Sequence, residues 1–184
     1  MKITFCDLRD DCVSALEAQF RGVEDVVVRQ CDLTKIKADA WGTAGNSFGD
    51  MGGGVDRAID LYFGGAAQGM VQRAIQNEFF GELPVGSAVF VQPDPKKPAL
   101  IYAPTMRIPG RLGPSINAYL AARTLFAMAL KHRLASLACP LFGTGVGGLM
   151  PQDAADQMFQ AYRLIVRGEW QQVRHLLQAP YVMR

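Results

Sequence analysis

Apolar and polar positions change spacing repeatedly along the chain, and each change marks an element. Lys2 to Asp7 reads as a short strand and Cys12 to Gln19 as a helix. Val26-Val27-Val28 lies inside an extended stretch from Val23 to Leu33, and such an unbroken β-branched run predicts a buried strand. Asp39 to Thr43 is a further short strand, running into a glycine-rich stretch from Gly45 to Gly54. Helices follow over about Val55 to Tyr62 and Ala67 to Phe79, separated by Gly64-Gly65. Ser87 to Val91 is a strand closed by Pro93-Asp94-Pro95, and Ala99 to Ala103 is one stopped by Pro104. Ser115 suits the N-cap of a helix reaching Lys131, with Ile116, Tyr119, Leu120, Ala127 and Leu130 on its apolar face. Leu134 to Leu141 is a strand. Pro151 then opens a helix to about Val166, with Asp153 in its first turn and Ala154, Met158, Tyr162 and Ile165 on the buried stripe.

Strands interleaved with crossover-length helices predict a three-layer α/β/α fold around a central mixed, largely parallel sheet. Ligands of such sheets sit beyond the carboxyl ends of the strands. At 184 residues and 49% hydrophobic, the chain suits one domain spanning 1–184. Nineteen basic against seventeen acidic residues leave a net charge of +2, which lacks the basic footprint of a protein that coats duplex nucleic acid. A small anionic ligand remains compatible. After Lys2 the N-terminus meets charge again at Asp7, and no apolar run approaches the roughly 18 residues of a membrane helix, so a cytoplasmic protein with no membrane partner is expected. Cys6, Cys12, Cys31 and Cys139 show no CxxC spacing and read as buried free thiols. His132 and His175 have no ligand-spaced neighbours, so neither a metal site nor a cofactor is expected.

Two glycine loops carry the chemistry. The first runs from Ala44 through Asn46, Ser47 and Asp50 to Gly52-Gly53-Gly54-Val55-Asp56 at a helix start. Consecutive glycines let backbone approach a ligand where a Cβ would collide, and the free N–H groups of a first helical turn favour an anion. The second is Phe142-Gly143-Thr144-Gly145-Val146-Gly147-Gly148-Leu149, again between strand and helix. Gly143, Gly145 and Gly148 satisfy G-x-G-x-x-G, but only about 36 residues follow, too few for the rest of a dinucleotide-binding sheet. Glu169 has about the right separation for the ribose acid of that motif, yet it lies in Arg167-Gly168-Glu169-Trp170, away from any strand end. No Gly-Lys-Ser/Thr exists for a P-loop. What is left is a pair of loops suited to hold a diphosphate through backbone amides, with neither lysine nor metal in their cores.

At this point the residues resemble the macro domain family, from about Cys31 to Tyr162. Cys31-Asp32-Leu33-Thr34 is similar to the family's Gly-Asp-Ile-Thr segment, and Thr43-Ala44-Gly45-Asn46-Ser47 to its Asn-Ala-Ala-Asn-Ser strand end. Gly52 to Asp56 and Gly143 to Gly148 resemble the two ligand loops. The tracts Gly81 to Gly86 and Ala103-Pro104-Thr105-Met106-Arg107 look like a bacterial and phage branch.

The resemblance implies that ADP-ribose or a related nucleotide is the ligand. Asp32 would accept from the adenine amine and the Leu33 backbone would complete that edge. The amides of Gly53, Gly54 and Val55, and of Thr144 to Gly147, would enclose the diphosphate, with Gly52, Gly143 and Gly148 framing them. Asn46 would hold the distal ribose. Asp56 would orient or deprotonate a water attacking the anomeric carbon; its other reading is a first-turn carboxylate complementing the helix dipole. Two functions therefore stay open, beside a third, a phosphatase of ADP-ribose 1″-phosphate, that fits the same pocket but lacks an evident phosphate-activating side chain. One is a hydrolase of mono-ADP-ribosyl or O-acetyl-ADP-ribose linkages, acting on modified protein or nucleic acid. The other is a non-catalytic reader of ADP-ribose or an NAD-derived metabolite. Many members place an aromatic residue of the second loop on the distal ribose; here Val146, Gly147 and Gly148 occupy that region, leaving Phe142 or Phe48 to substitute. Arg107 follows a strand end, from which it would either reach a phosphate or, as is commoner, stay a solvated cation.

Overall fold

Alternation of side chains on the strands decides how the sheet is clothed. The computed structural model describes residues 1–175 and 178. Its elements are β1 (Lys2–Asp7), α1 (Asp10–Gln19), β2 (Val26–Gln30), β3 (Ala40–Thr43), α2 (Gly54–Tyr62), α3 (Ala66–Phe79), β4 (Val89–Val91), β5 (Ala99–Tyr102), α4 (Asn117–Lys131), β6 (Ser136–Cys139) and α5 (Pro151–Ile165). The strands form one sheet in the order β2-β1-β6-β3-β5-β4, parallel throughout except for β4, which runs antiparallel to β5. The fold is thus a mixed, largely parallel sheet between two helical layers.

Ile3 and Phe5 of β1, Ala40 of β3, Ile101 of β5 and Cys139 of β6 face one way, into a core completed by Leu16 of α1, Leu125 and Phe126 of α4, and Met158 of α5. Their sequence neighbours Cys6, Trp41, Leu100 and Ala138 face the other way, against Ile59 of α2 and Val71 and Ile75 of α3. This period of two, repeated on every central strand, is why helices must cover both faces. Gly42 lets α4 lie close on β3: a Cβ there would meet Leu125 Cδ1 at 2.5 Å and Cδ2 at 2.8 Å.

Element boundaries differ from the sequence reading for identifiable reasons. β2 spans only Val26–Gln30 because Asp32 turns the chain: its carboxylate accepts from Thr34 N and Thr34 Oγ1, each at 2.9 Å, and caps a short 3-10 turn at Leu33–Lys35. β6 is trimmed at its start, where Asp39 Oδ2 takes the amides of Ala135 and Ser136 at 2.8 Å each, and at its end by Pro140, which has no N–H for a ladder. α4 starts at Asn117, so Ser115 is not its cap. The Ser115 carbonyl accepts Gln157 Nε2 at 2.8 Å, which holds that residue outside the helix. α1 begins at Asp10, two residues early, with Asp10 and Asp11 in its first turn. Gly64 and Gly65, both at positive φ, separate α2 from α3. Cys6, Cys12 and Cys139 are buried free thiols, whereas Cys31 is only half-buried.

Candidate functional site

Because β1, β2, β3, β5 and β6 are parallel, their carboxyl ends open onto one edge, where the loops enclose a cavity of about 600 Å³. β1 contributes Cys6 to Arg9, β2 Cys31 to Leu33, and β3 Ala44 to Asn46 and then Asp50 and Gly53 to Asp56. The chain beyond β5 adds Thr105, Met106 and Pro109, and β6 runs out into Pro140 to Gly147.

The first loop is built around Asn46. Its side-chain Oδ1 accepts the amides of Phe48 (3.0 Å) and Asp50 (3.3 Å), and its Nδ2 donates to the Asp50 carbonyl at 2.9 Å. One amide hydrogen remains to face a ligand. The Tyr102 hydroxyl of β5 donates to the Asn46 carbonyl and accepts the Asn46 amide, both at 2.9 Å. That hydroxyl lies where a Cβ of Gly45 would be, so residue 45 has to be glycine. Burial, and after it the charge of Asp56, push the Tyr102 phenol well above its ordinary range, so it stays a neutral donor and acceptor.

Gly53 is the extended cap of α2, and the first amide to find a helical acceptor is that of Arg57, bonding Gly53 O at 3.2 Å. The N–H groups ahead of it are without intrahelical partners at the pocket wall. Asp56, in that first turn, is buried, and Thr43 Oγ1 donates to its Oδ1. Burial raises the Asp56 carboxyl to about 6; the Thr43 hydrogen bond opposes the rise and the charge of Asp50 adds to it.

The second loop sorts its backbone polarity. The carbonyls of Gly143, Gly145 and Gly147 accept from Leu149, Gly148 and Leu112 at 3.0, 3.0 and 2.9 Å, and that of Thr144 accepts Arg9 Nη1 at 3.1 Å. The amides of Thr144, Gly145, Val146 and Gly147 have no acceptor among the described residues. With four of its carbonyls occupied and these amides free, the loop can offer backbone donors to an anion. The strap carrying Leu112 packs so closely that a Cβ on Gly147 would lie 2.8 Å from Leu112 Cδ1.

Of the residues singled out in sequence, Asp32, Leu33, Asn46, Gly53, Gly54, Val55, Asp56 and Gly143 to Gly147 line this one cavity. Gly52 and Gly148 do not. Gly52 donates its amide to Asp50 Oδ1 at 2.9 Å, and Gly148 turns the chain at positive φ with Arg111 packed on its open side. Asp32 does two things at once: Oδ1 caps the 3-10 turn while the residue forms the cavity wall. Phe142 reaches the wall although almost wholly buried, whereas Phe48 lies away from it beneath the Arg107 guanidinium, 5.5 Å from ring to cation. Arg107 is solvent-exposed, and it holds Glu82 through two hydrogen bonds of 2.7 and 3.0 Å.

Sequence reasoning missed Arg9, the cation at the cavity wall, which also pairs with Asp11. It missed Thr43, Tyr102 and Thr105 as well. Thr43 and Thr105 lie inside tracts that carry the family resemblance, but nothing local gives either a role at the site, and Arg9 and Tyr102 lie in no motif; strand adjacency brings them to the loops.

The family model described as Macro domain matches residues 43–158. A protein of Aeropyrum pernix is 34% identical over 147 residues, covering 79% of this chain and 74% of its own. Among solved structures, the Oceanobacillus iheyensis macrodomain with ADP superposes with a TM-score of 0.65 at 23% identity, over 75% of this chain and 74% of that one. Thermosipho africanus DarTG in complex with ADP-ribose gives a TM-score of 0.62 at 18% identity, over 72% of this chain and 37% of that one. At these identities the likeness to the solved structures is one of fold.

Proposed function

The chain belongs to the Macro domain family, and from that premise we propose that its 184 residues form one domain that binds ADP-ribose or a close relative and hydrolyses an ADP-ribosyl linkage. The sorted polarity of the second loop carries the reading: four amides without an acceptor, from Thr144 to Gly147, belong to residues that line the same cavity as the first turn of α2. Two such donor surfaces suit the two phosphates of a diphosphate. Asp32 and Leu33 then take the adenine at one end, and Asn46 and Asp56 the distal ribose at the other. Solved macrodomains carrying ADP or ADP-ribose support this choice of ligand.

In the hydrolytic step a water attacks the anomeric carbon as its bond to the acceptor's oxygen or nitrogen breaks. The electron pair leaves with the acceptor, and Asp56 receives the proton of the water. A carboxyl raised to about 6 is better matched to that task near neutral pH than an ordinary one. The acceptor is a carboxylate side chain or a nucleic-acid base; with O-acetyl-ADP-ribose the same water would attack the acetyl carbonyl carbon instead, and the ribose oxygen would leave with the electron pair and take up a proton. A non-catalytic reader is the second reading, favoured by the hydrogen bond that already occupies Asp56 Oδ1.

Calorimetry with ADP-ribose, AMP and NAD tests the ligand, and ADP-ribose is expected to bind best. Absence of binding at millimolar ligand removes the assignment. Asp56→Ala separates the two functions: turnover of a mono-ADP-ribosylated acceptor falls by about 100-fold or more while ADP-ribose binding persists. A wild-type protein that binds but turns over no acceptor is a reader.

A further inference from the structure

Thr105 lies three residues beyond β5, and both sides of its backbone are fixed. Its amide donates to the Gly45 carbonyl at 3.0 Å, and its carbonyl accepts Asn117 Nδ2 at 2.7 Å. Asn46 and Met106 form a parallel bridge alongside, so Thr105 stands next to the first loop. The residue lines the cavity and is fully buried, yet its hydroxyl has no hydrogen-bond partner. Only Ser115 Oγ shares that condition among the described side chains, and Ser115 is not at the cavity. A buried hydroxyl without a partner destabilises the folded state, so its retention calls for a partner that arrives later.

The surrounding groups narrow what that partner is. Asn46 spends its amide oxygen and one amide hydrogen on its own loop, and Asp56 Oδ1 already accepts from Thr43. Side-chain capacity for a polyol is therefore scarce at this end of the cavity. A phosphate would be drawn instead to the free amides of the second loop. A threonine hydroxyl, able to donate and accept, matches an alcohol.

We propose that Thr105 is a ligand-binding residue: its Oγ1 exchanges a hydrogen bond with a hydroxyl of the sugar bound at the Asn46–Asp56 end, and so favours ADP-ribose over nucleotides lacking that sugar. The assignment rests on the ADP-ribose reading above. It makes Thr105 a specificity residue supplied by β5, outside both glycine loops.

Thr105→Val keeps the shape and removes the hydroxyl; Thr105→Ser keeps the hydroxyl. Calorimetry with ADP-ribose and ADP, beside thermal unfolding of the unliganded proteins, gives the test. Thr105→Val is expected to bind ADP-ribose about tenfold more weakly and ADP within about twofold of wild type. Thr105→Ser should bind both like wild type. Unliganded Thr105→Val should unfold at the same or a higher temperature, because it loses an unpaired buried hydroxyl. A structural role alone predicts the opposite pattern, with lower stability and unchanged selectivity. Equal weakening toward both nucleotides, or ADP-ribose affinity matching wild type, overturns the proposal; the second result would mean that a buried water satisfies the hydroxyl. If the wild type binds neither nucleotide, the ADP-ribose reading falls and this assignment with it. If the wild type binds ADP-ribose and Thr105→Val is indistinguishable from it, only this assignment falls.

Discussion

Asp56 shows what a buried position does to an ordinary side chain. Its carboxyl is held at about 6, against an ordinary aspartate value of 3.8. Between about pH 4 and 6 the folded protein therefore keeps a proton that the unfolded chain has released, and stability falls as pH rises through that window. Above it, the ionised carboxylate costs the fold about 3 kcal/mol relative to an unperturbed aspartate. Asp56→Asn should accordingly raise the unfolding midpoint near pH 7.5, with the gain shrinking toward pH 4. Thermal unfolding across that range checks it, and a gain independent of pH would mean that burial does not govern this carboxyl. If Asp56 is the base, turnover rises with pH through about 6, so stability and activity move in opposite directions at one residue.

The packing of α4 on the sheet is decided where Leu125 meets Gly42. Leu125 is fully buried, and a Cβ on Gly42 would come within 2.5 Å of it and 3.2 Å of Cys139 Cβ. Gly42→Ala should therefore force α4 off β3 and destabilise the fold by about 1–3 kcal/mol, measured by urea unfolding. Since β3 carries Thr43 and leads to Asn46, ligand affinity should fall as well. The same contact explains which elements sequence can locate. Helices and strands follow from the spacing of apolar residues, and α2, α3 and α5 lie within a residue of where that spacing puts them. Boundaries set by a side chain of another segment do not: Asp39 trims β6 from almost a hundred residues away, and no local pattern announces that.

On the scale of the molecule, five parallel strand ends meet at one edge and turn separate loops into one cavity. Arg9 shows the consequence. It leaves β1 at the sheet edge, pairs with Asp11 in its own segment, and donates across 135 positions of sequence to the Thr144 carbonyl. That bond occupies a carbonyl of the second loop, beside amides that stay free. Arg9 and Asp11 are solvent-exposed, so their pairing contributes little to folding. Arg9→Ala should leave the urea midpoint unchanged and weaken ADP-ribose binding about three- to tenfold by calorimetry. Unchanged affinity would show that the second loop holds its shape without the guanidinium.

The sequence alone determined the layered α/β plan, because periods of two and 3.6 are local properties of a chain that must bury one face of each element. It also marked both glycine loops, since consecutive glycines are a local signature of backbone that has to approach something closely. Only the tertiary structure decided which loop atoms are free. Asn46 is largely spent on its own turn, Gly52 and Gly148 shape the loops from outside the cavity, and the amides of Thr144 to Gly147 are available because Leu112 and Arg9 hold the carbonyls beside them. Thr43, Tyr102 and Thr105 reach the site through strand order. A hydrogen bond's availability depends on every neighbour within about 3 Å, and in a parallel sheet those neighbours come from distant parts of the sequence.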